Sequence, residues 1–210
     1  MMAFLLAILI LSAFSLAVSG WIRGLFYISA LQAWSVAAIV LLWRLKDFHI
    51  DDAIFILAYV MIKGVILPWF AIDLCRRVQV YRDDSPILSA NLSLLLAIAF
   101  MVIAFSSSRL WSPDFFNVSP IFMSPALTLL MTGALLWVSR RLALTNLLAY
   151  FVITNALTLI FAALAIQYWQ FDMVFLLGST AVALAMGALT PYLKQEFDHI
   201  DVSQIKGQEE

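Results

Sequence analysis

A single lysine stands inside a long hydrophobic run and is the residue of this chain best placed to do chemistry. Lys63 lies near the middle of the run from Ala53 to Asp73. A charged amine near the centre of a bilayer costs at least ~2.5–3.5 kcal/mol on insertion scales. We therefore expect Lys63 to have a partner, bound water or a functional task.

A proline follows this lysine within the same run. Pro68 has no backbone N–H, so a carbonyl oxygen one turn earlier, near Gly64, loses its intrahelical donor. A lysine beside such a loosened turn can be hydrated and can change its protonation state. Two interpretations of Lys63 stay open. One is a proton relay or charge-coupling residue, and the other is a structural ion pair with an acid on another subunit.

Polar side chains also occur in the last two hydrophobic runs. Thr154 and Thr158 are four residues apart with Asn155 beside them, and Thr180 lies in the final run. Hydroxyl and amide groups of this kind form hydrogen bonds between neighbouring membrane helices. Tight helix packing is the favoured interpretation of all four residues, and a hydrated polar track is the alternative.

Composition excludes several classes of protein. Of the 210 residues, 64% are hydrophobic and 12% are charged, whereas soluble domains have about 25% charged residues. The net charge of −1 argues against nucleic acid as a partner. The one cysteine is Cys75, and the two histidines, His49 and His199, fall on opposite sides of the predicted membrane. The sequence thus predicts no metal site and no cofactor.

The elements that position Lys63 are predicted to be seven membrane-spanning helices in an all-α bundle. Spans of about 20 apolar residues fall at 1–20, 25–43, 53–73, 87–105, 119–138, 145–168 and 172–193. A tight turn is expected at Trp169–Phe171, and Trp34 is expected to pack inside the bundle. These spans divide the chain into four segments. They are 1–86 with Lys63, 87–138 with spans four and five, 139–193 with the last two spans, and a charged tail at 194–210.

The basic residues predict an orientation. Eight Lys or Arg residues follow odd-numbered spans and three follow even-numbered spans, while Lys63 is within a span. Since basic residues concentrate in cytoplasmic loops, the N-terminus is predicted outside and the C-terminus in the cytoplasm. The connecting loops are too short to hold a soluble catalytic module.

Two patches of the sequence resemble a known family. The stretch YVMIKGVILP from Tyr59 to Pro68, followed by Arg76 and Arg77, resembles the third span of the hydrogenase-4 component E family. The stretch from Arg140 to Val202 is similar to the three-span K-type subunit of respiratory complex I, to which the C-terminal part of component E is related. Members are membrane subunits of formate hydrogenlyase-type and related energy-converting complexes.

The resemblance implies a non-catalytic scaffold in a bacterial or archaeal cytoplasmic membrane. Such a subunit connects antiporter-like ion-pumping subunits to a redox module, and Lys63 is the position to which a charge-coupling role transfers. Related subunits carry acidic residues in the late spans, where this chain has Thr154 and Thr180. The carboxylate part of the family's proton path is therefore not carried over to these threonines.

Two other functions stay open at this point. A small independent transporter could use Lys63 as its coupling or substrate-binding charge, because transporters often contain helices interrupted by glycine or proline near the midplane. Gly64 and Pro68 supply one such interruption. An enzyme acting on lipid would need nucleophiles or acids at one membrane face, and Asp73 with Cys75 and the neighbouring arginines is a sparse set.

Overall fold

The protein is an α-helical bundle. The computed structural model describes residues 1–45, 49–83, 87–107, 120–164 and 169–197. Seven helices lie within these ranges: α1 (Met2–Val18), α2 (Ile22–Arg44), α3 (Ile50–Val78), α4 (Ala90–Ser107), α5 (Pro120–Ser139), α6 (Ala143–Ala163) and α7 (Trp169–Phe197). Six of them are long and apolar enough to cross a membrane, and α1 is a shorter apolar helix of 17 residues. The predicted all-α bundle of a multi-pass membrane protein is confirmed.

The helices α2, α5 and α6 form the centre of the bundle. In the most apolar 18-residue stretch of each helix, 67% of the residues of α6 are buried, against 17% for α4 and 28% for α7. The peripheral helices therefore present broad apolar faces to their surroundings. Such faces suit lipid or the helices of a neighbouring membrane protein.

Small residues bring α7 close to α3. Ser179, Ala183 and Gly187 follow one another at four-residue spacing on the buried face of α7. A Cβ atom at Gly187 would collide with the ring of Phe70 on α3, so the missing side chain permits this approach.

Backbone contacts join the segment that follows α1 to the segment that follows α3. The backbone N–H of Asp83, after α3, donates to the carbonyl oxygen of Gly20, after α1, at 2.9 Å. In return, the N–H of Ile22 donates to the carbonyl oxygen of Tyr81 at 3.1 Å. The ends of α1 and α3 thus lie at the same end of the bundle, as the span assignment requires.

Three expectations need correction or fall outside the described ranges. The turn predicted at Trp169–Phe171 is wrong because these residues begin α7, while α6 already ends at Ala163. Trp34 is 52% exposed and does not pack inside the bundle. The predicted tail at 194–210 begins within α7, which continues to Phe197, and the rest of the tail lies outside the described residues.

Candidate functional site around Lys63

The Lys63 side chain is enclosed by the chain's own helices. It is 4% exposed, and its Nζ lies 5.9 Å from the centre of the Phe175 ring on α7. That distance is within the range of a cation–π contact. Among the described residues, Nζ has no hydrogen-bond partner. The expected acid or other polar partner is therefore not supplied by the described part of this chain, and the Phe175 ring face is the group that faces the amine.

Lys63 belongs to an irregular turn of α3. Residues Ile62–Ile66 form a π-helical turn, in which the N–H of Leu67 donates to the carbonyl oxygen of Ile62 five residues earlier. Regular α-helix precedes this turn from Ile50 to Met61 and follows it from Leu67 to Val78. Single π-helical turns are rare and occur frequently at functional sites. The wider turn coincides with the absent N–H of Pro68, the residue expected to interrupt the helix.

The loosened turn is braced by a tryptophan from α2. The Nε1–H of Trp34 donates to the Gly64 carbonyl oxygen at 3.4 Å, which supplies a donor where Pro68 cannot. A Cβ atom at Gly64 would lie 2.8 Å from Trp34 Nε1, so glycine is the residue that lets the indole approach this closely. The Trp34 side chain therefore stabilises this turn of α3 from a half-exposed position on the bundle surface.

A buried polar contact lies one helical turn before Lys63. The Tyr59 hydroxyl donates to Asn155 Oδ1 on α6 at 2.9 Å, and Asn155 Nδ2 donates to the Ser29 carbonyl oxygen on α2 at 3.5 Å. Tyr59 and Asn155 are each about 1% exposed. These bonds join three helices at mid-span. Asn155 was identified from the sequence, but Tyr59 was noted there only as part of the family resemblance.

The candidate threonines bond to their own helices. The Thr154 hydroxyl donates to the Phe151 carbonyl oxygen at 3.0 Å, and that of Thr158 donates to the Thr154 carbonyl oxygen at 3.0 Å. The Thr180 hydroxyl donates to the Leu176 carbonyl oxygen at 2.7 Å. Hydroxyls engaged in this way have already satisfied their donor within the helix. The contacts favour packing over a continuous polar track.

An ionic cluster closes the end of the bundle from which α3 begins. Arg44 at the end of α2 pairs with Asp52 on α3 and, at 2.8 Å, with Asp172 on α7. Asp52 also accepts the His49 backbone N–H at 3.1 Å, which caps the start of α3. Arg44 is one of the three basic residues that follow even-numbered spans, and no local pattern indicates its pairing with Asp172, 128 positions away. We call Arg44, Asp52 and Asp172 the Arg44 cluster.

The opposite end of the bundle holds a second buried ion pair. Arg140, which follows α5, donates to Asp83 Oδ2 at 3.1 Å and to the Ser19 carbonyl oxygen at 3.0 Å. The Asp83 side chain is fully buried. These contacts hold the ends of α1, α3 and α5 together. The sequence identified Arg140 only through its place in the basic loops and the family resemblance.

A third ion pair has a different character. Asp73 and Arg77 are four residues apart on α3 and pair at 2.7 Å, with side chains 37% and 73% exposed. An exposed pair of this spacing stabilises a helix by only about 0.2–0.5 kcal/mol.

Within the described residues, no group of three or more His, Cys, Asp or Glu side chains could hold a metal ion.

Comparison with known proteins does not assign a family to this site. No family model, no curated protein and no solved structure matches the chain. The resemblance to hydrogenase-4 component E, carried by Lys63 and Pro68, therefore enters only the proposal below.

Proposed function

We propose that this chain is a non-catalytic membrane subunit of a complex I-like or group 4 hydrogenase-like energy-converting complex. In this proposal it connects antiporter-like ion-pumping subunits to a redox module in a bacterial or archaeal cytoplasmic membrane, with its N-terminus outside. Lys63 is the charge-coupling residue. The observation that carries the proposal is the buried Lys63 amine, which sits in a π-helical turn without a hydrogen-bond partner among the described residues.

The unpaired amine supports a coupling role for an energetic reason. Burying a charge without a partner destabilises a fold, so a residue that only stabilised the bundle would be better replaced by an apolar side chain. Polar residues within a membrane are by default candidates for ion or proton pathways. A proton that arrives at or leaves Lys63 changes the local charge by one unit. Neighbouring helices would sense that change strongly, because little water screens it.

The peripheral helices support a place in a larger assembly. The most apolar stretches of α3, α4 and α7 are only 33%, 17% and 28% buried. Their exposed apolar side chains, among them Leu57, Leu95 and Leu177, can pack against partner subunits as readily as against lipid. A subunit placed between pumping and redox modules needs two or more such faces.

Purification from the native membrane tests the assembly. The tagged chain, extracted in a mild detergent, should bring down large multi-span subunits of antiporter type in fixed stoichiometry. Crosslinking in intact membranes before extraction guards against loss of partners in detergent. Recovery of a single monodisperse species without partners, even after crosslinking, would contradict the proposal.

Substitution of Lys63 tests the coupling role. In the assembled complex, Lys63→Ala and the longer apolar Lys63→Met should keep redox turnover and assembly while lowering the number of ions moved per turnover. Lys63→Arg keeps a charge at the position and serves as the comparison. Normal turnover with normal ion movement in the first two variants would reduce the lysine to a structural role.

A small independent transporter is the second candidate, favoured by the π-helical turn beside Pro68 in α3. Vesicles that contain only this chain discriminate between the two functions. Uptake or ion flux that is lost in Lys63→Ala would favour the transporter. Flux that requires partner chains supports the energy-converting complex.

A further inference from the structure

The buried face of α3 leads from the Arg44 cluster to Lys63. Asp52, Phe55, Tyr59 and Lys63 are all buried and follow one another at intervals of three or four residues. Residues at this spacing lie on one side of a helix, one turn above the next. The lysine and the Arg44 cluster are therefore two ends of a single helical face.

On α7, as on α3, a member of the Arg44 cluster and a residue at the Lys63 site belong to the same helix. On α7, Asp172 binds Arg44, and Phe175 lies three residues later with its ring centre 5.9 Å from Lys63 Nζ. Three residues of α-helix advance by roughly 4.5 Å, less than one turn. Among the described residues of α7, Asp172 is the charged group nearest in sequence to Phe175, whose ring contacts Lys63.

The charges of the two sites complement each other. Arg44 carries one positive charge against the two carboxylates of Asp52 and Asp172, so the cluster has a formal charge of −1. A protonated Lys63 carries +1 and has no hydrogen-bond partner among the described residues. A charge in a poorly screened interior interacts over longer distances than it does in water. The surplus carboxylate can therefore attract a proton at Lys63 across the buried interior.

The other direction from Lys63 is apolar. Towards the end of α3 marked by Asp83, the buried side chains of this helix are Leu67, Pro68, Ala71, Ile72, Leu74, Cys75 and Val78. On α7, the buried residues that follow Phe175 are Leu176, Ser179, Ala183, Gly187 and Thr190, and the hydroxyls of Ser179 and Thr190 bond to carbonyl oxygens of their own helix. Within the described residues, neither buried face offers a charged group on this side of the lysine.

We propose that Lys63 exchanges its proton with the aqueous side at which the Arg44 cluster lies, and that the Phe175 ring closes this route. When the ring turns aside, a file of water joins the Asp172 carboxylate to Nζ. A hydronium ion from that aqueous side passes its proton along the water file to neutral Nζ, which gives an ammonium group and leaves water, and the reverse step returns the proton to the same side. This inference deepens the proposed coupling role of Lys63 and rests on it, although the route itself can be tested separately.

Accessibility of position 63 tests the route. Lys63→Cys is placed in a Cys75→Ala background, which removes the one native cysteine, and the full chain is inserted into sealed vesicles. A charged, membrane-impermeant methanethiosulfonate is added from either side, and the modification rate is measured by mass spectrometry. Single cysteines at the exposed positions Ile50 and Arg76 report which end of the bundle faces the reagent.

Phe175→Ala should raise the modification rate at least tenfold when the reagent is added at the end that bears Ile50. Phe171→Ala is the matched control, since Phe171 also contacts the ring of Phe161 yet makes no contact with Lys63 among the described residues. This control should leave the rate unchanged. Reaction that is faster from the Arg76 end, or that Phe175→Ala does not accelerate, overturns the proposal.

A second readout keeps the native lysine. Acetylation of Lys63 by a water-soluble, membrane-impermeant ester should rise in Phe175→Ala from the same side and stay low in Phe171→Ala. This measurement decides the question if Lys63→Cys does not fold, and an unchanged acetylation rate overturns the proposal. Its failure is distinct from failure of the proposed function. If access to position 63 is one-sided but ion movement is normal in Lys63→Ala, the route holds and the coupling role fails. If Lys63→Ala loses ion movement but Phe175→Ala does not change access, the coupling role holds and the route fails.

Discussion

The indole of Trp34 lies directly against Gly64 and donates to its carbonyl oxygen at 3.4 Å. This contact ties α2 to the π-helical turn of α3 that contains Lys63. The contact depends on a glycine and a proline within one turn of α3. Gly64 leaves room for the ring, and Pro68 leaves a carbonyl oxygen of the preceding turn without its usual donor.

Gly64→Ala should destabilise the protein, because the new Cβ atom would lie 2.8 Å from Trp34 Nε1. Trp34 is half exposed and can move outward, so we expect a cost of about 1 kcal/mol, near the low end for overpacking. The thermal unfolding midpoint in detergent measures this cost. Gly178→Ala is the control, since a Cβ atom there meets nothing within 4 Å. An equal cost of Gly64→Ala in a Trp34→Ala background would refute the proposed clash.

Tyr59→Phe should lower stability by removing the donor to Asn155 Oδ1. Hydrogen bonds between membrane helices contribute about 0.6 kcal/mol on average, with values up to about 1.7 kcal/mol. Denaturation in mixed micelles, compared with Tyr27→Phe on the exposed face of α2, measures the difference. A double variant with Asn155→Leu should lose less than the sum of the single variants. Strict additivity would mean that the two side chains do not interact.

Arg140→Ala should destabilise the fold far more than Arg141→Ala. Arg140 is buried and pairs with the fully buried Asp83, whereas Arg141 is exposed. Breaking one side of a buried ion pair leaves an uncompensated charge and costs roughly 3–5 kcal/mol. Expression level and thermal stability of the two neighbouring variants provide the comparison. Similar behaviour of both variants would mean that the Asp83 pair contributes little.

Arg44→Ala should release the ends of α2, α3 and α7 from one another, since Arg44 bonds to both Asp52 and Asp172. The cost should approach 3 kcal/mol, about the lower limit for a buried pair. Arg77→Ala breaks an exposed pair on α3 and should cost less than about 0.5 kcal/mol. Protease sensitivity at the start of α7, compared between the two variants, locates the effect. Equal resistance at that site would argue against a clamp.

Thr154→Val and Thr180→Val should have little effect on stability or on ion movement. Each hydroxyl bonds to a carbonyl oxygen of its own helix, and valine has almost the same shape. The same assays that are used for Lys63→Ala measure the outcome. Loss of ion movement in either variant would support the alternative interpretation, in which a hydrated polar track runs along α6 or α7.

Much of the bundle follows from local properties of the sequence. Apolar runs of about 20 residues must form helices in lipid, because each backbone group has to find its partner within the run. The loosened turn near Gly64 is also a local property, since it coincides with the missing N–H of Pro68. The isolation of Lys63 is a local property as well, because the residues on both sides of it form one apolar run.

Tertiary structure alone decided which residues meet. Arg44 and Asp172 are 128 positions apart, and Tyr59 and Asn155 are 96 positions apart, yet each pair forms a hydrogen bond. Hydropathy determines that a segment is a helix, but it says little about which face turns towards which neighbour. That choice depends on the packing of small residues and buried polar groups between helices distant in the chain. Only the folded bundle therefore placed the Phe175 ring 5.9 Å from Lys63 Nζ and joined Asp172, three residues before Phe175, to Arg44.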